Sequence, residues 1–225
     1  PSSCLQISKK NPDRFVRRAA RIIKTGFGQP SLFNADVIIQ ELLRQGKDLI
    51  DARKGGASGC VEVGAFGREN YNLTGYLNMP KILEITLHNG VEPETGERIG
   101  IETGDPRAFT SFSELMAAYK KQLDHFVAIK VRGNNVIERL YAQYMPSPFM
   151  SILIDDCIAA GKDYHNGGPR YNTSYIQGVG LGSLTDMAAS IKYHVFDKGA
   201  LSMDTLLSVL NRDFKDNERL RGTFL

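Results

Sequence analysis

Residues 56–80 read GASGCVEVGAFGRENYNLTGYLNMP, and this stretch organises the rest of the chain. Cys60 stands between the small pair Ser58-Gly59 and the pair Val61-Glu62, and glycines recur at positions 55, 56, 59, 64, 67 and 75. In an extended or looped segment, positions i and i+2 point to the same side. The Cys60 thiol and the Glu62 carboxylate are therefore expected to face one substrate together. Glycines around them let the backbone approach closely and adopt positive φ. The plainer alternative is a buried cysteine in a tight turn, with Glu62 capping a neighbouring group, because free cysteine is among the most buried residue types.

Gly59-Cys60-Val61-Glu62 resembles the Gly-Cys-Val-Glu signature of the glycyl radical enzymes, the pyruvate formate-lyase-like superfamily. The continuation GAFGRENYNLTGYLNMPKILEITLHNG resembles their dehydratase branch. The likeness extends to Gly168-Pro169-Arg170-Tyr171-Asn172 and Ile191-Lys192-Tyr193-His194.

That resemblance implies an α/β fold: part of a ten-stranded barrel of two parallel half-barrels, surrounded by helices, with the cysteine loop inserted at its centre. It implies Cys60 as the thiyl residue and Glu62 as general base or proton relay. Tyr76 is the candidate substrate-pocket contact; the alternative for it is a core aromatic with a satisfied hydroxyl. No cofactor is expected to be bound. The implied radical sits on a glycine outside these residues and is installed by an S-adenosylmethionine-dependent [4Fe-4S] activating enzyme, the expected protein partner. A homodimer is expected for the full-length protein.

The implied reaction is hydrogen abstraction by the Cys60 thiyl next to a hydroxyl-bearing carbon, then loss of water assisted by Glu62. Trans-4-hydroxy-L-proline is the favoured substrate. Diol or glycerol dehydration, isethionate cleavage and arylacetate decarboxylation are the alternatives. Formate acetyl transfer fits less well, because its chemistry resembles a two-cysteine relay and here Gly59 precedes Cys60. A non-catalytic truncated copy is the contrasting class.

The residues also admit a thiolate mechanism, which needs a nearby histidine to activate the cysteine. The nearest one downstream, His88, is 28 positions away, so the spacing neither supports nor excludes it. In a radical mechanism a thiol suffices, provided that the radical is shielded from water and other side chains. A cysteine on a glycine-rich loop tip inside a barrel meets that need.

Composition narrows the classes. The chain has 225 residues, 42% hydrophobic and 24% charged, which fits a globular protein rather than a disordered one. A net charge of +3 is small, and the one basic cluster (Arg14, Arg17, Arg18, Arg21, Lys24) reads as the wet face of a helix, so no nucleic acid is expected. No apolar run is long enough for a membrane span, and the first residues lack a signal-peptide pattern. Cys4, Cys60 and Cys157 lie far apart without a C-x-x-C, which fits a reducing cytoplasm. His88, His125, His165 and His194 lack metal-ligand spacing, so no metal site is expected.

Position 1 is proline, and the last residues, Arg221-Gly222-Thr223-Phe224-Leu225, read like the middle of a protein. The expected arrangement is a central piece, 1–225, of the catalytic barrel domain, with the thiyl loop at about 56–76. The glycyl radical domain is expected to lie outside it. No Arg-Val-x-Gly-aromatic motif occurs, and Arg132-Gly133-Asn134 is a poor imitation inside an expected helix. These 225 residues alone are therefore expected to be inactive.

Helix signals punctuate the chain. Asn11-Pro12-Asp13 predicts a helix start with Asn11 as its cap, and Gly26 a stop. Asn34 predicts the cap of a second helix ending at Gly46. Pro80 opens a third, with Ile82, Leu83, Thr86 and Leu87 inward and Gly90 closing it. Residues 91–107 read as an exposed, turn-rich excursion. Ser111 and Glu114 form a capping-box pattern at the head of a long helix that Pro146 and Pro148 end, with Gly133-Asn134-Asn135 as the candidate kink. Phe149 to Ala160 predicts one helix buried on two sides, with Asp155 and Asp156 near its C-terminal end and Cys157 as a small core residue. Tyr171 to Val179 predicts a strand, and helices follow from Ser183 and Ser202. Gly178-Val179-Gly180-Leu181-Gly182 lacks the G-x-G-x-x-G spacing of a dinucleotide loop, so it predicts close packing of strand on helix.

Overall fold

The computed structural model describes residues 3–59 and 61–224, and Cys60 lies outside the described residues. The chain divides into two compact units, one of Pro1–Thr74 and Val136–Tyr175, the other of Gly75–Asn135 and Ile176–Leu225.

The first unit opens on strand β1, Cys4–Ile7, which pairs in parallel with β2, Ser31–Asn34, in the register Cys4↔Ser31 to Ile7↔Asn34. Helix α1, Asp13–Ile22, joins them. It begins one residue later than the sequence suggested: Pro12 is its cap, while the Asn11 carboxamide oxygen accepts from Ser8 N at 2.7 Å and closes the preceding turn. Asn34 ends β2 and caps α2, Ala35–Arg44, accepting from Asp36 N at 3.0 Å and Val37 N at 3.1 Å. Asp48 caps the short α3, Leu49–Lys54, in the same way. Ile38, Leu42, Ala52 and Val63 then form a small apolar core.

Strands β3, Gly56–Ser58, and β4, Glu62–Gly64, form an antiparallel hairpin on that core. Strand β5, Glu69–Asn78, pairs with β6, Tyr171–Val179. β6 has the expected bounds, whereas β5 occupies residues that the glycines had made look looped. Its alternation is there to be read: Glu69, Tyr71 and Leu73 share one face, Asn70 and Asn72 the other.

The expected helix from Phe149 to Ala160 is two short ones, α6, Pro148–Ile152, and α7, Asp155–Ala160. The Asp163 carboxylate accounts for the start of α6 and for the loop that follows α7. It accepts from Ser147 N and Ser151 Oγ, both at 2.8 Å, and from His165 N at 2.9 Å. Asp155 and Asp156 consequently stand in the first turn of α7, where a helix dipole favours acids, and not at a C-terminal end. Nor is this segment buried on two sides: Phe149 is 71% exposed and Ile158 65%. Cys157 does pack inward, with Ile154 and Tyr164.

The second unit is built on helix packing. Helices α4, Met79–Leu87, α8, Leu181–Ile191, and α9, Met203–Leu210, contribute to one apolar core with Leu115 and Tyr119 of α5, Phe112–Tyr144. α4 has the expected inner face, with Ile82, Leu83, Thr86 and Leu87 all buried. α5 runs unbroken through Gly133-Asn134-Asn135. Ser111 Oγ accepts from Glu114 N, while the Glu114 carboxylate reaches back one residue further, to Thr110 N. Gly180, at φ +83°, starts α8 where a Cβ would stand 2.6 Å from Pro80, so the glycine serves close approach, as its spacing suggested.

Candidate active site

The hairpin register places the described residues that flank the candidate Cys60. Ser58 pairs with Glu62. Gly59 has φ +60°, a left-handed value that glycine takes without cost. Glu62, partly buried, is therefore the first paired residue after the tip. Its carboxylate accepts from Val61 N at 3.1 Å. A Cβ on Gly59 would come within 2.7 Å of Glu62 Oε2, so the carboxylate folds back over the loop. Cys4 of β1 approaches the same loop, its thiol 3.7 Å from the Gly59 carbonyl oxygen.

Beneath the hairpin lies a buried polar network that sequence reasoning missed. Glu69 accepts from Lys47 Nζ at 2.7 Å, and the two side chains are 0% and 2% exposed. The same carboxylate accepts from Ala65 N at 2.7 Å, tying down the turn that leaves β4, and from Thr173 Oγ1 at 2.5 Å. Tyr175 donates its hydroxyl to the Val63 carbonyl at 2.6 Å and lies 3.4 Å from Glu69 Oε1. Its ring stacks on Tyr71, with centroids 5.8 Å apart and planes 5° from parallel. A Cβ at Gly64 would overlap the Tyr71 hydroxyl and come within 2.6 Å of Glu69.

Burial, reinforced by the Glu69 charge, pushes both the Tyr71 and Tyr175 phenols well above the usual tyrosine range, so they stay protonated. A second cluster flanks the first. Tyr171 donates to Asp51 at 2.9 Å, and Arg170 bridges Asp51 and Asp156 at 3.1 and 3.2 Å. Along β6, Tyr171 meets Asp51, and Thr173 and Tyr175 meet Glu69, while Asn172, Thr173 and Ser174 line a cleft of about 300 Å³ with Asn70, Asn72 and His165. Lys47, Glu69 and Tyr175 are far apart in sequence; the one available signal was the acid four residues after Ala65 in a glycine-rich turn.

Tyr76 lies on the part of β5 that belongs to the second unit and is 63% exposed, so it is not a core aromatic within this unit. Among the described residues no group of three or more His, Cys, Asp or Glu could hold a metal ion. No helix among them is long and apolar enough to cross a membrane.

A profile of the family described as pyruvate formate lyase-like matches residues 1–225. The chain belongs to this family. Trans-4-hydroxy-L-proline dehydratase of Clostridioides difficile is 56% identical over 220 residues, which are 98% of this chain and 28% of that protein. The crystal structure of that hydroxyproline dehydratase, with trans-4-hydroxy-L-proline bound, aligns with a TM-score of 0.89 over 97% of this chain and 28% of its own. A B12-independent glycerol dehydratase of Clostridium butyricum is 36% identical, with a TM-score of 0.87 over 99% of this chain and 28% of its own. A glycyl radical enzyme of Archaeoglobus fulgidus is 30% identical, with a TM-score of 0.83 over 98% and 28%. The α/β fold of this pyruvate formate lyase-like chain is therefore that of glycyl radical enzymes, and the chain spans a little over a quarter of the relatives it matches.

Proposed function

We propose that this chain is the thiyl-cysteine segment of a glycyl radical dehydratase acting on trans-4-hydroxy-L-proline. The 56% identity to a dehydratase of that substrate, spanning nearly the whole chain, carries the reading. The pairing of Ser58 with Glu62, and the Glu62 carboxylate accepting from Val61 N, support it.

The thiyl state of Cys60 depends on an unpaired electron that a glycyl radical outside these residues supplies when present. A radical S-adenosylmethionine enzyme installs that radical, and the full-length protein works as a cytoplasmic homodimer. The Cys60 sulfur takes a hydrogen atom from the carbon beside the hydroxyl-bearing one, breaking C–H and forming S–H. The C–O bond then breaks. Glu62 relays a proton to the departing hydroxide, and a proton lost from the substrate replaces it, so that one water leaves. Return of the hydrogen atom from the Cys60 thiol completes a pyrroline carboxylate and restores the thiyl. Tyr76 contacts the substrate.

The test uses the full-length parent, co-expressed anaerobically with its activating enzyme. Electron paramagnetic resonance is recorded before and after adding hydroxyproline. A glycyl doublet with pyrroline carboxylate formed, and turnover abolished in Cys60→Ser with the doublet kept, is the expected result. A doublet without hydroxyproline turnover would sink the substrate assignment, and no doublet with a competent activating enzyme would sink the radical mechanism.

A further inference from the structure

The hairpin on either side of Cys60 is short, with three residues per strand. Two strands of that length have little stability in isolation. Groups outside the hairpin must therefore help to hold its tip in place.

On the β4 side, two backbone atoms are held by side chains from elsewhere. The Val63 carbonyl, directly after Glu62, accepts from Tyr175 at 2.6 Å. The Ala65 amide, two residues on, donates to Glu69 at 2.7 Å. The two holding groups are themselves joined, since the Tyr175 hydroxyl lies 3.4 Å from the Glu69 oxygen that also accepts from Lys47 and Thr173. Of these, Tyr175 alone touches the hairpin backbone next to Glu62.

We propose that Tyr175 is a positioning residue, which sets the Glu62 carboxylate and the Cys60 loop for reaction by fixing the Val63 carbonyl to the Glu69–Lys47 pair. This inference rests on the dehydratase reading above. It assigns Tyr175 no contact with substrate. Tyrosine suits the role because its ring stacks on Tyr71, which restricts where the hydroxyl can lie. The phenol stays protonated and is thus always a donor to the carbonyl. A tip displaced by a fraction of an ångström would leave binding intact and slow hydrogen abstraction, since rates depend on near-attack geometry far more steeply than affinities do.

Tyr175→Phe tests this in the activated full-length enzyme. The substitution keeps the ring stack and removes one oxygen. The expected result is a fall in kcat of about tenfold or more, with KM and the glycyl doublet unchanged. The deuterium isotope effect on kcat, measured with ring-deuterated hydroxyproline, is expected to rise, because hydrogen abstraction becomes more rate-limiting. A kcat within twofold of wild type would overturn the inference, as would a lower kcat with an unchanged isotope effect, the sign of a smaller folded fraction. Should Tyr175→Phe not accumulate as soluble protein, 3-fluorotyrosine incorporated at position 175, which keeps the ring and hydroxyl but changes the strength of the bond to the Val63 carbonyl, gives the same isotope readout. Wild-type turnover and a dead Cys60→Ser, run alongside, fix the underlying reading, so failure at Tyr175 counts against the positioning role alone.

Discussion

In the unit of Gly75–Asn135 and Ile176–Leu225, Leu83, Leu115 and Leu207 are fully buried in one continuous apolar cluster. The most deeply buried polar side chains there, Thr86, Gln122 and Asn134, carry no charge. In the unit of Pro1–Thr74 and Val136–Tyr175, the apolar residues split into two small clusters, and a fully buried carboxylate, Glu69, lies beside a buried ammonium, Lys47. Apolar burial stabilises without direction. Hydrogen bonds to a buried carboxylate do the opposite: they add modest net stability but fix particular atoms at particular distances. The unit that carries the Cys60 loop is the one whose interior is built by direction.

Paired substitutions measured by hydrogen exchange on the full-length protein would break that comparison if it is wrong. Lys47→Met leaves the Glu69 charge buried without its cation, and is expected to cost about 3–5 kcal/mol across residues 56–72. Adding Glu69→Met should recover much of this, because an apolar pair of similar size replaces an ion pair that repaid little more than its own desolvation. Leu83→Ala in the other unit is expected to cost about 2–5 kcal/mol, and no second substitution of its neighbours should restore it by removing a charge. Equal, non-recovering losses at both places would mean that the two interiors are held alike.

The same contrast governs how legible each region was. The helical unit follows from local signals: Pro80 in the first turn of α4, Gly90 at the stop, and the Ser202 cap of α9, whose Oγ accepts from Thr205 N. Its core face could be named from spacing alone. β6 was also legible, because Tyr171, Thr173 and Tyr175 alternate and the nine residues are rich in Tyr, Thr and Ile. β1 and β2 escaped because four-residue strands such as CLQI and SLFN carry almost no periodicity. The break between α6 and α7 has no Pro or Gly to announce it, and the Ser147, Ser151 and His165 contacts of Asp163 come from residues beyond any local pattern. The proposed site residues Cys60 and Glu62 stand in a contiguous motif. Their support does not, because Lys47, Glu69 and Tyr175 become neighbours only in the folded unit.

Gly64→Ala sharpens the comparison at a single carbon. The added methyl would overlap the Tyr71 hydroxyl and stand 2.6 Å from the Glu69 carboxylate. Overpacking of this kind costs about 1–3 kcal/mol. The stack of Tyr71 on Tyr175 should be disturbed with it, so the substitution is expected to lower both the protection of residues 62–72 and kcat. In the other unit, Gly182→Ala adds a methyl to open space within a helix and should be neutral or slightly stabilising. A silent Gly64→Ala would show that the network tolerates slack, and the directional account would then lose its footing.

The smallest expected effect concerns a carboxylate away from the hairpin. Burial pulls the Asp163 pKa upward, but the hydrogen bonds from His165 N, Ser151 Oγ and Ser147 N outweigh it and hold the carboxyl below the usual aspartate range. A folded pKa below the unfolded one means that the contribution is complete above about pH 4, the unfolded value, and is lost as pH falls through the folded value. Protection factors across residues 147–165 should therefore decline on acidification below about pH 4. Asp163→Asn should flatten that decline and, since the group is partly exposed and screened by solvent, cost less than about 1 kcal/mol at neutral pH. Protection that falls equally in wild type and Asp163→Asn would place the acid sensitivity outside Asp163.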